Sequence, residues 1–285
     1  MNIRKIDRII PAQAISEGAG VTVHRTIGTQ ALRNLDPFLM LDHFGSDNPN
    51  EYIAGFPDHP HRGFVTFTYM LDGHMLHKDS MGNKGDLRAG GAQWMKAASG
   101  VIHSEMPQQK HGLMRGFQLW INLPAKEKMS TPEYQEFTPE AVPEVILEGV
   151  KVRVLIGVFN GQSGVIKDSN TDAFYLDVNL ENGRSFEFST PPDHTCFVYL
   201  FEGSAESDSQ SLPKHSLSVF SQGDSVVVNS TSAETRFIVV GGKPIREPIV
   251  QYGPFVMNTR AEIEQAFSDY QSGRLVLVKA AMTGR

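Results

Sequence analysis

Phe67-Thr68-Tyr69-Met70-Leu71-Asp72-Gly73 and Phe197-Val198-Tyr199-Leu200-Phe201-Glu202-Gly203 match each other almost position for position. Each is a β-branched and aromatic run closed by an acidic residue and a glycine, the composition of a buried strand entering a turn. Each is followed by a Gly-Asp turn, Gly85-Asp86 in the first half and Gly223-Asp224 in the second, so one β unit is used twice. Further runs of the same kind lie at 21–24, 152–159, 174–178, 225–228 and 237–240, and 26 glycines and 16 prolines serve the turns between them. The pattern predicts an all-β protein of sandwich or barrel type.

Pro124, Pro132, Pro139 and Pro143 stand among charged residues and predict a linker over 126–145, with a short helix around 126–134. The expected division is a first β unit over 1–125, the linker, a second β unit over 146–242, and a tail over 243–285. In the tail, Thr259-x-x-Glu262 is a capping box, Ile263, Ala266, Phe267 and Tyr270 recur at helical spacing, and Gly273 ends the run. That helix needs an apolar surface to lie on. The serines between Ser204 and Ser221 predict an exposed hairpin loop.

Lys and Arg number 26 against 32 Asp and Glu, a net charge of -6, which argues against direct contact with a nucleic-acid backbone. Cys196 is the single cysteine, so intramolecular disulfides and cysteine-cluster metal sites are excluded. A charged N-terminus without an apolar core, and no run of eighteen apolar residues, predict a cytoplasmic chain that neither enters nor crosses a membrane.

The chemistry concentrates between Phe56 and Pro107. His59-Pro60-His61 places two imidazoles at i, i+2, on one face of an extended strand, and His103-Ser104-Glu105 repeats that spacing 42 residues after His61. If the two segments are neighbours, three neutral nitrogens and one carboxylate converge. Such a set suits a divalent first-row metal and leaves octahedral positions open. Protons would then compete for the imidazoles below about pH 6.5. His74, His77 and His111 have no partner at strand spacing and read as exposed or supporting. His43 reads as a structural histidine and Cys196 as a buried, inert thiol. Val240-Gly241-Gly242-Lys243 and Gly161-Gln162-Ser163-Gly164 lack the offsets of a phosphate loop and a nucleophile elbow.

Several blocks carry a resemblance: residues 36–45 (DPFLMLDHFG), 59–64 (HPHRGF), 79–83 (DSMGN), 100–106 (GVIHSEM), 116–124 (GFQLWINLP) and 253–258 (GPFVMN). Together they resemble the pirin family of the cupin superfamily. The resemblance implies two tandem jelly-roll barrels, the first holding a metal, usually Fe(II), through His59, His61, His103 and Glu105. It implies cleavage of flavonols such as quercetin with dioxygen, hence a small aromatic substrate. Other members act through protein partners, so a metal- or redox-dependent regulator is the alternative. On this reading the chain is a flavonol 2,3-dioxygenase with Glu105 as catalytic base. Val65 stands where many relatives carry glutamate, which makes the pocket more apolar. Aligning the repeats places Ser189, Pro191, Gly241 and Lys243 opposite the four ligands, so the second barrel is expected to be without metal.

Overall fold

The computed structural model describes residues 2–277 and the backbone of 282–283; the rest of the expected tail, 278–281 and 284–285, lies outside the described residues. The chain forms two compact units. Residues 14–28, 38–141 and 245–285 make up the histidine-bearing unit, and residues 1–13, 29–37 and 142–244 make up its sister.

Each unit pairs a broad sheet with a four-stranded one. In the histidine-bearing unit the broad sheet runs Gln13–Glu17, Val21–Arg25, Phe38–Ser46, Met114–Asn122, Phe64–Asp72, Ala92–Lys96, Glu133–Phe137, with the short Met282–Thr283 added at the edge. The smaller sheet runs Phe56–His61, Val101–Pro107, His74–Asp79, Lys84–Arg88. The sister repeats both orders strand for strand: Glu144–Leu147, Val150–Ile156, Phe174–Glu181, Glu234–Gly242, Thr195–Glu202, Ser216–Phe220, Ile6–Pro11 in one sheet. Ser185–Ser189, Ser225–Ser230, Ala205–Ser207 and Gln210–Leu212 form the other. The two matching stretches of sequence thus occupy one place in a repeated jelly roll.

Three sequence expectations change. Residues 2–12 do not join the first β unit: Ile6–Pro11 pairs antiparallel with Ser216–Phe220 and fills the sister's edge slot. The stretch 126–145 is not a linker, because Glu133–Phe137 pairs with Ala92–Lys96 and fills the equivalent slot of the histidine-bearing unit. The short helix reduces to one 3-10 turn, Ala125–Glu127. Pro132, which has no N–H to donate, precludes a helix through 134. The alternating burial of Tyr134 and Glu136 supplies a strand instead. Finally, the strand in the place of Val101–Pro107 is Ser225–Ser230, so Gly241 and Lys243 are not the counterparts of His103 and Glu105. The Gly-Asp anchors misled: Gly85-Asp86 lies inside a strand, whereas Gly223-Asp224 precedes one.

The C-terminal helix, Arg260–Gln271, has its capping box formed, and Gly273 takes the left-handed φ of 70° that ends it. Its Ile263 and Ala266 pack on Phe255, Met257 and Leu275 within the histidine-bearing unit. Two buried cations tie this tail down. Arg62 donates to Asp269 (2.8 Å) and to the Ser99 carbonyl (2.7 Å). Lys128 donates to the carbonyls of Gly63 (2.8 Å) and Val256 (3.1 Å) and to Asn122 Oδ1 (2.6 Å). At Gly63 a Cβ would meet the Val256 carbonyl at 1.9 Å, so only glycine allows this approach.

Lys128→Met leaves three buried acceptors without their donor. It is expected to lower stability by about 2–4 kcal/mol. Trp94 and Trp120, the only tryptophans, both belong to this unit, so guanidinium unfolding followed by tryptophan fluorescence measures the loss where it arises.

Candidate metal centre

Phe56–His61 and Val101–Pro107 lie side by side, antiparallel, with His59 opposite His103 and His61 opposite Val101. The i, i+2 spacing of the histidines puts both rings on one face, 4.7 Å apart between centroids, and strand pairing brings His103 within 4.4 and 4.9 Å of them. One ring nitrogen from each of His59, His61 and His103 lies within 4.8 Å of the other two. His59 Nδ1 meets the Pro57 carbonyl at 2.7 Å, so Nδ1 carries the proton and Nε2 keeps its lone pair. His61 Nδ1 and His103 Nε2 are buried with no hydrogen-bond partner.

Burial, and then the neighbouring imidazoles, hold His61 and His103 well below the usual histidine range; the Pro254 backbone opposes this at His61. Neutral rings with converging, unpartnered nitrogens could hold a metal, and the donor set fits a divalent first-row cation.

Glu105 is placed differently from the three histidines. The register slips between His103 and Glu105, where the partner strand carries an extra residue near Pro57. Glu105 lies directly opposite His77 on the other neighbouring strand. Its carboxylate groups with His103 and His77, not with His59 and His61. Thr68 Oγ1 donates to Oε1 at 3.2 Å and Gln118 Nε2 donates to Oε2 at 2.9 Å, while Gln118 Oε1 accepts from Trp120 Nε1 at 3.2 Å.

The other histidines separate clearly. His77, read from sequence as exposed or supporting, is fully buried against the cluster, its ring stacked on Tyr134 at 4.6 Å. Its partners lie on adjacent strands, and the one local signal was Asp79 at i+2. His74 bonds Asp86 near the surface, His111 is exposed, and His43 stacks on Phe117 at 4.7 Å. Cys196 is buried in the sister unit, its thiol pushed up to about 12 by desolvation.

A cavity of 680 Å³ opens beside His59 and His61. That volume suits a drug-sized ligand. Met40, Phe56, Trp120 and Pro254 give it apolar walls. Trp120 stacks on Phe64 at 4.2 Å and meets His61 edge-on at 5.1 Å. At its polar edge Arg25 grips Asp42 through two bonds of 2.7 Å and reaches Glu17 at 2.8 Å. Of the apolar residues near the ligands in sequence, Phe56 lines the cavity and Phe64 backs it, while Met95 packs separately with Met81, Val101 and Tyr134. Glu105 is not on the cavity wall. It borders a space of only about 10 Å³, and Gln118 lines both. Neither Trp120 nor Gln118 nor the Arg25–Asp42 pair was legible as a site residue, because each acquires its role from a strand distant in sequence.

A repeated jelly roll with a histidine cluster on one copy defines a two-domain cupin. The profile of the pirin family matches residues 20–121, and that of the pirin C-terminal cupin domain matches residues 175–276. The chain belongs to the pirin family. It is 47% identical over 270 residues to a Pseudomonas aeruginosa protein provisionally named as a quercetin 2,3-dioxygenase, covering 92% of this chain and 94% of that one. The crystal structure of a quercetin 2,3-dioxygenase from Acinetobacter baumannii superposes with a TM-score of 0.89 at 32% identity, covering 96% of this chain and 98% of that one. A bacterial pirin from Escherichia coli, solved in complex with nickel(II), shares the fold at a TM-score of 0.65 and 16% identity, over 83% of this chain and 98% of its own.

In the metal-free protein the depressed histidines set a pH dependence. Unfolded imidazoles titrate near 6.5. Folded His61 and His103 resist protonation until well below that value. Their contribution is complete above about pH 6.5 and is lost as the pH falls toward the folded values, by up to about 1.4 kcal/mol per pH unit for each ring. Denaturant unfolding between pH 8 and 5 is expected to show this slope, and His103→Gln is expected to reduce it.

Proposed function

We propose that the chain is a mononuclear-metal dioxygenase in which His59, His61, His103 and Glu105 hold one divalent metal, Fe(II) by family resemblance, and which cleaves flavonols such as quercetin with dioxygen. The observation that carries the reading is the convergence of three imidazoles, two of them buried with unpartnered nitrogens, beside a 680 Å³ cavity with apolar walls. The likeness to the Acinetobacter baumannii quercetin 2,3-dioxygenase supports it. So does the nickel(II) complex of the Escherichia coli pirin, as an instance of metal binding on this fold.

When bound, the metal supplies Lewis acidity toward the substrate's 3-oxygen and open positions for substrate and dioxygen. The chain's own residues do the rest. Trp120, Phe56 and Met40 hold a flat aromatic substrate by burial and stacking and exclude water from the reacting edge. Phe64 fixes the plane of Trp120 from behind. Arg25, Asp42 and Glu17 offer hydrogen bonds to peripheral hydroxyls. Glu105 Oε2, capped by Gln118 at 2.9 Å, accepts the 3-hydroxyl proton once Gln118 turns aside. Thr68 holds the other oxygen and keeps the carboxylate aimed. In the sister unit the corresponding strand carries Val226, Val227 and Val228, so one metal is expected per chain.

Oxygen uptake and carbon monoxide release by Fe(II)-loaded protein with quercetin test the reading. Turnover is expected in the parent, and Glu105→Gln is expected to bind metal more weakly and to lose about 100-fold or more in kcat. No oxygen uptake by fully loaded parent overturns the dioxygenase assignment and leaves the regulatory alternative. Because His61 and His103 protonate only well below 6.5, metal affinity is expected to hold lower in pH than free imidazoles would allow. Equilibrium dialysis across pH 7 to 4.5 measures the onset.

A further inference from the structure

We infer that Asp79 and His77 form a positioning pair that fixes the tautomer of His103 and so aims its Nε2 lone pair into the metal centre; the metal part of this inference rests on the reading above, the tautomer part does not. Strand register sets up the contact. His74–Asp79 pairs antiparallel with Val101–Pro107, which puts Asp79 opposite His103 and His77 opposite Glu105, diagonal to His103 on the same face.

The chain of hydrogen bonds has one polarity. Asp79 Oδ1 accepts from the backbone N–H groups of Met81 (2.9 Å) and Asn83 (3.0 Å). Its Oδ2 accepts from Asn83 Nδ2 (2.9 Å) and faces His77 Nε2 at 3.2 Å. Burial opposes the charge, but His77 and the two Asn83 donors outweigh it and keep the Asp79 carboxyl below its ordinary range, so it is an acceptor and His77 Nε2 carries the proton. Nδ1 of a neutral His77 is then the acceptor. Its single lone pair takes the Gln93 amide N–H at 2.9 Å and, as a weaker shared contact, faces His103 Nδ1 at 3.4 Å. A bare His103 Nδ1 would set two lone pairs against each other at that distance, so the proton of His103 is favoured on Nδ1, which leaves Nε2 bare, and Nε2 is the buried, unpartnered atom.

The same logic decides between two candidate metal clusters. His77, His103 and Glu105 also bring ligand atoms within 4.8 Å of one another. Both nitrogens of His77 are engaged, however, and Asp79 and Gln93 would have to release them before His77 could ligate. His77 is a positioning residue.

The test uses metal-free protein labelled with 15N-histidine at pH 8, with the His103 signals assigned by their loss in His103→Gln. The parent is expected to show His103 protonated on Nδ1 alone. His77→Gln should preserve this, since a Gln oxygen accepts from His103 while its amide donates to Asp79. His77→Phe removes the acceptor and should give a mixture of tautomers. Asp79→Asn should invert the chain: the backbone donors of Met81 and Asn83 retain the side-chain oxygen, so the new amide faces His77 and drives the proton of His103 toward Nε2. Ni(II) titration by calorimetry should show affinity 10- to 100-fold weaker in His77→Phe and Asp79→Asn, and nearly restored in His77→Gln. Thermal melts establish that each variant is folded, and Asp79→Asn and His77→Gln carry the test if His77→Phe is not. A parent mixture of tautomers, or Nδ1 protonation unchanged in both His77→Phe and Asp79→Asn, overturns the inference. Tautomer shifts as expected in a protein that binds no Ni(II) at all would uphold the positioning pair and refute the metal reading instead.

Discussion

The antiparallel pairing of Phe56–His61 with Val101–Pro107 is the constraint on which the site depends. It carries His103 across 44 residues of sequence to face His59, and the pleat adds His61 to the same face. The extra residue beside Pro57 is part of the arrangement: Pro57 has no N–H to give the ladder, and its carbonyl takes the Nδ1 proton of His59. Around this pairing lie groups that keep it dry and fixed. Gly63 admits the Val256 backbone, Lys128 closes that contact, and Arg62, next to His61, holds the C-terminal helix through Asp269.

The repeated fold shows what such a site displaces. In the sister unit the jelly-roll interior is apolar: Val226 and Val228, Phe186 and Phe188, and Leu176 and Val178 pack into one continuous core. The histidine-bearing unit has smaller separate clusters, and its interior carries His61, His77, His103, Glu105, Thr68 and Gln93. Buried polar side chains are tolerable only when their hydrogen bonds are met, and the relay from Asp79 through His77, with Thr68 and Gln118 on Glu105, meets most of them. The nitrogens left over, on His61 and His103, face each other across the proposed centre.

Much of this was legible in the sequence wherever the signal is local. The i, i+2 histidines, the repeated strand and the capping box at Thr259 are short-range patterns, and all three took the expected form. What escaped is non-local. The edge slots filled by Ile6–Pro11 and Glu133–Phe137 follow from sheet completion, not from chain order. His77 looked like a turn histidine because Gln93, Tyr134 and His103 reach it from other strands. The place of Glu105, beside His103 and behind Gln118, was not legible either, since one register slip separates the two ends of the His-x-Glu block.

Anomalous diffraction at the metal edge, from crystals of the loaded protein, tests the central claim most directly. One peak per chain is expected, bounded by His59, His61, His103 and Glu105. A peak bounded by His77, His103 and Glu105 without His59 and His61, or one in the sister unit, would contradict it.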